Sequence, residues 1–329
     1  MNEMNAITIA DDLAEFLMDR PGQLAQVHSV FPHAGNLLIR EDVLITLANQ
    51  DDIPPMGVLL DCSESFTKIL KAGDEIVLDV DHFRAASGAF LVDLRDVETW
   101  QTRLNLGINA RPIEEVARIR LSLIRWLAKQ PAQGLLPLLP HLTRQIVAYT
   151  SLNDNIYSRY IADDLAAFTH AINASKWEHA LRLADRLIGF GMGSTPSCDD
   201  FLAAYLVVFS IADCLNPGRF PWVREFNQSI ACKAENRTTL ISANMLRHAA
   251  DGKISMSHQQ LIQACLFKNK SDLTDFASQV MQHGATSGGD FLFGLICALE
   301  WYQAAMTKTK KEGERAQVEL NQPRPVPGL

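Results

Sequence analysis

Two segments of this sequence are apolar on every side of the helices that they predict. They are Phe201–Phe209 and Phe291–Leu299. A helix without a polar face is stable only when other elements surround it inside a domain. The longer run, Phe201–Ala212, is too short to cross a bilayer and ends at Asp213. The sequence therefore predicts an all-α domain with two buried central helices.

The N-terminal part of the chain follows a different pattern. Short β-rich runs are separated by turns of Asn, Asp, Pro and Gly, and a short helix is predicted before them, near residues 11–18. The runs are Val43–Leu47, Gly57–Leu60, Glu75–Asp79 and Ala89–Asp93. Four or more short strands at this spacing are typical of a small sheet or barrel-like domain.

Helical periodicity begins after Trp100. An amphipathic helix is predicted over Pro112–Leu127. Further helices are predicted over 155–172, 175–188, 196–214, 222–234, 238–250, 258–267, 272–282 and 289–305. The fold class is α+β: a small β-rich, barrel-like domain over 1–105, then a helical domain over 106–306. The Lys/Glu-rich tail, 307–329, has too few apolar residues to pack and is expected to be disordered.

Charge and cysteine content narrow the function classes. The formal net charge is −8, which argues against a nucleic-acid surface. Six cysteines occur without CxxC pairs or a zinc-type Cys/His spacing. Such cysteines are typical of a reducing compartment, and no signal peptide is recognisable, so we expect a cytoplasmic protein away from membranes. No metal or other cofactor is expected, with Mg²⁺ held by an aspartate pair as the alternative.

Two similar glycine-containing loops precede the apolar helices. Both continue through Thr, Ser and Asp into Phe-Leu. Helix starts carry unpaired N–H groups and the positive end of the helix dipole, so they bind phosphate or carboxylate. The predicted anion-binding residues are Gly191, Gly193, Thr195, Ser197, Thr286, Ser287 and Gly288. Asp199, Asp200 and Asp290 are the predicted catalytic residues, which would hold an N–H group of the substrate, transfer a proton or bind Mg²⁺.

A plainer interpretation of these loops is ordinary helix capping. Thr195 is a suitable N-cap and Pro196 suits a first helical position, because such residues often start helices without binding a ligand. The repetition of the pattern, with Phe-Leu in the same register and glycines in front of the first loop, favours the ligand site. His283, just before the second loop, is a candidate proton donor or a simple helix-end histidine.

A third segment adds hydroxyl groups and one cation. Thr239 and Ser242 share a face of the predicted 238–250 helix, beside Thr238, and Arg237 precedes them. Arg237 would supply a fixed positive charge for an anionic substrate. The alternatives are that the hydroxyls satisfy backbone groups and that Arg237 is an ordinary surface arginine.

At these residues the sequence resembles the AllH family, a former domain of unknown function that includes a subunit of anaerobic oxamate carbamoyltransferase. The resemblance rests on three segments, 189–202, 238–242 and 284–294, and extends over nearly the whole chain before the tail. Cys198 is a departure, since the family has glycine there. A side chain at this position would crowd a ligand, or supply a thiolate activated by the helix start.

The resemblance implies a role in carbamoyl transfer during allantoin (purine) nitrogen catabolism. The implied ligands are phosphate, carbamoyl phosphate and oxalurate-type anions. The implied partners are an FdrA-like protein and a second carbamoyltransferase subunit. The alternative, motivated by Cys198, is a non-catalytic structural or regulatory subunit of a complex that transfers acyl or carbamoyl groups.

Overall fold

A computed structural model describes residues 2–40, 42–50, 52–106, 110–140, 155–267 and 273–321, with side chains as far as residue 308. The fold is α+β, as predicted, with an N-terminal barrel followed by a helical domain.

The N-terminal domain is a closed barrel of eight strands with a ninth strand attached. The strands are β1 (Asn2–Ala10), β2 (Gln23–Val30), β3 (Ala34–Ile39), β4 (Val43–Ala48), β5 (Gly57–Asp61), β6 (Glu75–Leu78), β7 (His82–Ala85), β8 (Phe90–Asp93) and β9 (Glu98–Trp100). Their order is β5-β4-β3-β2-β6-β7-β8-β1-β9, and antiparallel pairing of β1 with β5 closes the ring. β1 pairs in parallel with β8 through its first half and with β9 through its second.

Alternating side chains fill the barrel. Ile76, Phe83 and Phe90 are buried in strands β6, β7 and β8, in which buried residues alternate with more exposed ones. This period of two is what one solvated and one packed face require. Two short helices accompany the strands, α1 (Asp11–Asp19) and α2 (Phe66–Ile69), and they add buried residues to the same core.

The helical domain is built around two central helices, as predicted. Its elements are α3 (Ile113–Leu127), a 3₁₀ turn (Leu136–Leu138), α4 (Ile156–Asn173), α5 (Trp177–Leu187), α6 (Ser197–Leu215), α7 (Val223–Ala234), α8 (Leu240–Ala250), α9 (Met256–Leu266), α10 (Leu273–Met281) and α11 (Ser287–Asn321). The rings of Phe201 and Phe293 lie 5.5 Å apart where α6 crosses α11. At Gly294, a Cβ would clash with the Phe201 carbonyl oxygen, so the two backbones touch.

Two features differ from the sequence-based expectation. Strands β1, β2, β3, β7 and β9 were not predicted. Helix α11 continues to Asn321, so helical backbone occupies 307–321, where we expected disorder. The composition of this segment precludes a core, but its Lys, Glu, Ala and Gln residues extend an existing helix readily. Residues 322–329 of the expected tail lie outside the described part of the chain.

The barrel docks onto α8 and α9 through hydrogen bonds between the two domains. The Trp100 indole N–H donates to Gln259 Oε1 at 3.0 Å, and the Asn244 side-chain amide donates to the Asp42 carbonyl at 3.0 Å. Lys253 Nζ lies 2.6 Å from Asp12 Oδ1 in a mostly buried ion pair. These contacts place β3, β4 and the segment before β5 beside the starts of α6 and α11.

Candidate functional site

The two glycine-containing loops lie side by side. The Thr195 hydroxyl donates to Ser287 Oγ at 3.2 Å and links the start of α6 to the start of α11. Thr195 therefore does not cap a helix. Pro196 is itself the N-cap residue, α6 begins at Ser197, and no side chain caps it. The structure thus gives no support to ordinary side-chain capping at the first loop, because Thr195 is directed to the second loop instead.

Glycines shape both loops mainly through backbone packing. Gly191 has a φ of 132°, and a Cβ there would clash with the Ser197 amide nitrogen. At Gly288 a Cβ would clash with the Val280 carbonyl, where α11 packs on α10. Gly193 is exposed and has open space beside it. Gly191 and Gly288 are thus required by packing at the helix starts.

Asp199 is a fully paired carboxylate. Its Oδ1 accepts from the Gly189 amide at 2.8 Å, and its Oδ2 accepts from the hydroxyls of Ser242, at 2.7 Å, and Thr238. Thr239 caps α8 by accepting from the Ser242 amide at 3.1 Å, and its own hydroxyl donates to the Ser194 carbonyl. These contacts fasten α8 to the first loop and are those of positioning residues.

Asp200 and Asp290 are buried and incompletely paired. Oδ2 of each has no hydrogen-bond partner among the described residues. Burial raises the pKa of Asp200 well above its usual value, and the charges of Asp290 and Asp199 add to the rise, while the Ser287 and Thr195 hydroxyls oppose it. Asp200 therefore holds its proton more tightly than an exposed aspartate does, and a protonated carboxyl group can donate as well as accept.

The second carboxyl group has a more ordinary acidity. Burial raises the pKa of Asp290 to about 6. Hydrogen bonds from the Leu135 amide, which donates to Oδ1 at 2.6 Å, and from the Ser197 and Thr286 hydroxyls limit this rise. Asp290 is thus largely ionised at pH 7. Two neighbouring buried carboxyl groups with raised pKa values are an arrangement typical of acid–base sites.

A cavity of about 200 Å³ lies between the barrel and the helical domain, with Asp200 in its wall. The barrel contributes Asn36, Leu44, Thr46, Pro54, Pro55 and Met56 to the wall. The helical domain contributes Thr195, Asp200, Ile241, Asn244, Met245, His248, Ile254, Ser255, His258, His283, Ser287 and Phe291. Mostly apolar walls with a few convergent polar groups are typical of small-ligand sites.

Comparison with known families agrees with this layout. A family model described as oxamate carbamoyltransferase subunit AllH matches residues 187–299, and a model described as the AllH family N-terminal domain matches residues 5–99. The chain belongs to the AllH family. The family name denotes a subunit, which implies partner subunits of a carbamoyltransferase. No solved structure matches the chain. Among the described residues of this AllH-family protein, no helix is both long and apolar enough to span a membrane.

Arg237 does not reach the cavity in this AllH-family chain. Its side chain is 49% exposed and lies 3.7 Å from Asp185, which also pairs with Lys233 at 2.8 Å. The surface-arginine alternative fits this placement, since Arg237 shares a carboxylate at the protein surface. No lysine or arginine is found among the described residues that line the cavity.

Cys198 is turned into the core of the AllH-family helical domain. It is fully buried and does not line the cavity. Burial raises the pKa of its thiol well above the usual value, and nearby aspartates raise it further. The thiol is therefore neutral at pH 7, and neither crowding of the cavity nor thiolate chemistry follows from this departure.

Sequence reasoning did not find the barrel's part of the site. Thr46 Oγ1 donates to Asn36 Oδ1 at 2.9 Å, and both residues line the cavity from β3 and β4. His248 and His258 were also missed, because neither lies within one of the recognised segments. A cross-strand polar pair on the outer face of adjacent barrel strands is the one signal that could have indicated Asn36 and Thr46.

Proposed function

We propose that this chain, as a subunit of an oxamate carbamoyltransferase-like enzyme, binds phosphate, carbamoyl phosphate or oxalurate-type anions in the cavity between its domains. One observation carries the proposal: two helix starts meet beside Asp200, a buried residue that lines the cavity and has one carboxyl oxygen without a hydrogen-bond partner among the described residues. The family's carbamoyltransferase name supports the substrate class.

The donors for an anion are neutral groups and helix starts. Thr195 and Ser287 line the cavity together with Asp200, whose raised pKa favours the protonated carboxyl group that can donate. The first turns of α6 and α11 add positive partial charge. Because these donors are fixed in place, they would also stabilise the negative charge that develops on the carbamoyl oxygen in the transition state.

Hydrogen-bond acceptance from the carbamoyl group and proton transfer are assigned to Asp200, with Asp290 beside it. Asp200 accepts an N–H of the carbamoyl group or exchanges a proton with it, and burial together with the charge of Asp290, which lies outside the cavity lining, raises the pKa of Asp200. Asp199 positions α8 and takes no part in proton transfer. Thr239 and Ser242 act in the same supporting way.

The same proposal covers the cellular setting. The chain works in the cytoplasm, in allantoin nitrogen catabolism, with an FdrA-like protein and a second carbamoyltransferase subunit, and without nucleic acid or membrane. Anion binding in this scheme requires no cofactor. If Mg²⁺ held by an aspartate pair were required instead, a chelator would abolish activity.

Calorimetric titration of the full chain with phosphate, carbamoyl phosphate and oxalurate tests the proposal. We expect at least one to bind with a Kd of roughly 1 μM to 1 mM. Asp200→Ala removes a buried hydrogen-bonding group and should weaken binding roughly 10- to 100-fold. Asp200→Asn keeps a neutral donor and should bind within a few-fold of the wild type.

Asp61→Asn, at an exposed residue ending β5, is the matched control and should leave binding unchanged. Wild-type affinity in Asp200→Ala would contradict the site. If the wild type binds none of the three anions yet co-purifies with its partner subunits, the non-catalytic structural or regulatory role is correct.

A further inference from the structure

Two histidines and an aspartate that the proposed function does not use meet at the edge of the cavity. Asp52 precedes β5 of the barrel, His258 lies in the first turn of α9, and His283 lies between α10 and α11. One ligand atom from each residue lies within 4.8 Å of the other two. His258 and His283 also line the cavity, so the cluster borders it directly.

The cluster is not a serine–histidine–aspartate relay. Ser257 Oγ lies 3.1 Å from Nε2 of His283, and Asp52 Oδ2 lies 3.3 Å from the same nitrogen. A relay needs the serine and the carboxylate on opposite nitrogens of one imidazole ring. Both partners compete here for a single nitrogen, so the ring cannot pass a proton between them.

One separation in the cluster matches that of neighbouring ligand atoms around a single metal ion, and the others are within 4.8 Å. Zn²⁺ binds His nitrogen and carboxylate oxygen at about 2.0–2.1 Å in tetrahedral geometry, which places neighbouring ligand atoms roughly 3.3 Å apart. The Asp52–His283 separation of 3.3 Å equals this edge. Two imidazoles and one carboxylate are a ligand set suited to divalent first-row transition metals.

Surrounding contacts hold the ligands in place. The Ser257 amide donates to Asp52 Oδ1 at 2.6 Å, which leaves Oδ2 facing His283. The Ser255 hydroxyl lies 2.7 Å from His258 Nδ1 and fixes that ring. Metal-binding side chains in proteins are oriented by hydrogen bonds of this kind.

We propose that Asp52, His258 and His283 bind a divalent transition-metal ion, of which Zn²⁺ is the simplest case, with a remaining coordination position open to the cavity. Three protein ligands leave a fourth position for water or for an oxygen of a bound molecule. The sequence pattern alone predicted no metal, because the ligands come from both domains and have no local spacing. This proposal does not depend on anion binding by Asp200.

A second cluster provides an internal control. Asp79, Asp81 and His82 also bring three ligand atoms within 4.8 Å, but on the barrel surface, where the Asp81 side chain is 62% exposed. Exposed ligands of this kind bind metals weakly, because water competes for them and nothing holds them in place. Substituting one histidine in each cluster, His283 or His82, therefore shows which cluster binds the metal.

The test is titration of the metal-free full chain with Zn²⁺ alone, and with Co²⁺ alone as a spectroscopic probe. We expect one tightly bound Zn²⁺ per chain and the strong visible absorption of tetrahedral Co²⁺. His283→Ala and Asp52→Asn should each weaken binding by roughly 10- to 100-fold or more, whereas His82→Ala should leave the tight site intact. Thermal melts should show that each variant is folded.

Asp200→Ala should bind Zn²⁺ like the wild type, which separates failure of this proposal from failure of the anion site. The proposal is overturned if the wild type binds no Zn²⁺ tightly. It is equally overturned if folded His283→Ala retains wild-type affinity, or if His82→Ala is the variant that loses the ion.

Discussion

The starts of α6 and α11 have similar sequences, but their aspartates have different surroundings. Asp199 on α6 accepts three hydrogen bonds and leaves neither oxygen free. Asp290 on α11 accepts from the Leu135 amide at Oδ1 and leaves Oδ2 without a partner among the described residues. Asp200, next to Asp199, lies on the cavity wall. Similar helix starts thus give similar local backbone, while distant segments decide what each carboxyl group does.

The largest expected effect on the free energy of unfolding comes from removing Asp199, the aspartate whose two oxygens both have hydrogen-bond partners. Asp199→Ala leaves the Ser242 and Thr238 hydroxyls and the Gly189 amide without their shared acceptor. We expect a loss of roughly 3–5 kcal/mol in the free energy of unfolding, measured by urea denaturation. Asp61→Asn serves as the exposed control. A loss below about 1 kcal/mol would show that Asp199 is no more structural than Asp290.

An intermediate effect should come from Asp290, through pH. Its pKa of about 6 in the folded chain exceeds the ordinary value of 3.8, so the folded state holds the proton more tightly. This contribution to stability is fully present below about pH 4 and is lost as the pH rises through about 6. Asp290→Asn lacks it, so the stability of the variant relative to the wild type should rise by on the order of 2 kcal/mol between about pH 4 and pH 7.

Urea denaturation at several pH values measures this difference, with Asp61→Asn as the variant whose difference from the wild type should stay flat. A difference for Asp290→Asn that does not vary with pH would mean that Asp290 is ordinary in acidity. The contrast between the two helix starts would then rest on hydrogen bonding alone.

The smallest effect on stability and on anion affinity is expected at Arg237, which lies at the surface and does not line the cavity. Arg237→Ala removes one exposed ion pair with Asp185, so stability should change by about 0.5 kcal/mol or less. Anion affinity, measured by the same calorimetry, should stay within about twofold. A large loss of affinity would move Arg237 from the surface into the binding site.

Sequence reasoning succeeded where the signal is local and strong. The all-round apolarity of Phe201–Phe209 and Phe291–Leu299 required buried helices, and α6 and α11 are the central pair. Strands β4 and β5 were found because their runs are strongly apolar. β2, with the sequence Gln-Leu-Ala-Gln-Val-His-Ser-Val, was missed because a strand exposed on one face carries polar residues of weak β propensity.

The candidate site likewise has features that the sequence predicts and features that it does not. The glycine, hydroxyl and aspartate positions were recognisable, because a helix start imposes a local pattern. The pairing of Asp199 with Ser242 and Thr238 was not, since it depends on how α8 packs beside the loop. The cluster of Asp52, His258 and His283 has no sequence signature at all, because its ligands are brought together only when the barrel docks.

The shared wall of the cavity has a thermodynamic consequence. Asn36 and Thr46 contact the space from the barrel, and Thr195 and Ser287 from the helices, so an occupant would touch both domains at once. By mass action, a ligand at a hundred times its Kd adds about 2.7 kcal/mol to the stability of whatever state binds it. A molecule bound in this cavity would therefore stabilise the interface between the barrel and the helical domain. The free energy needed to separate the two domains would increase with the concentration of that molecule.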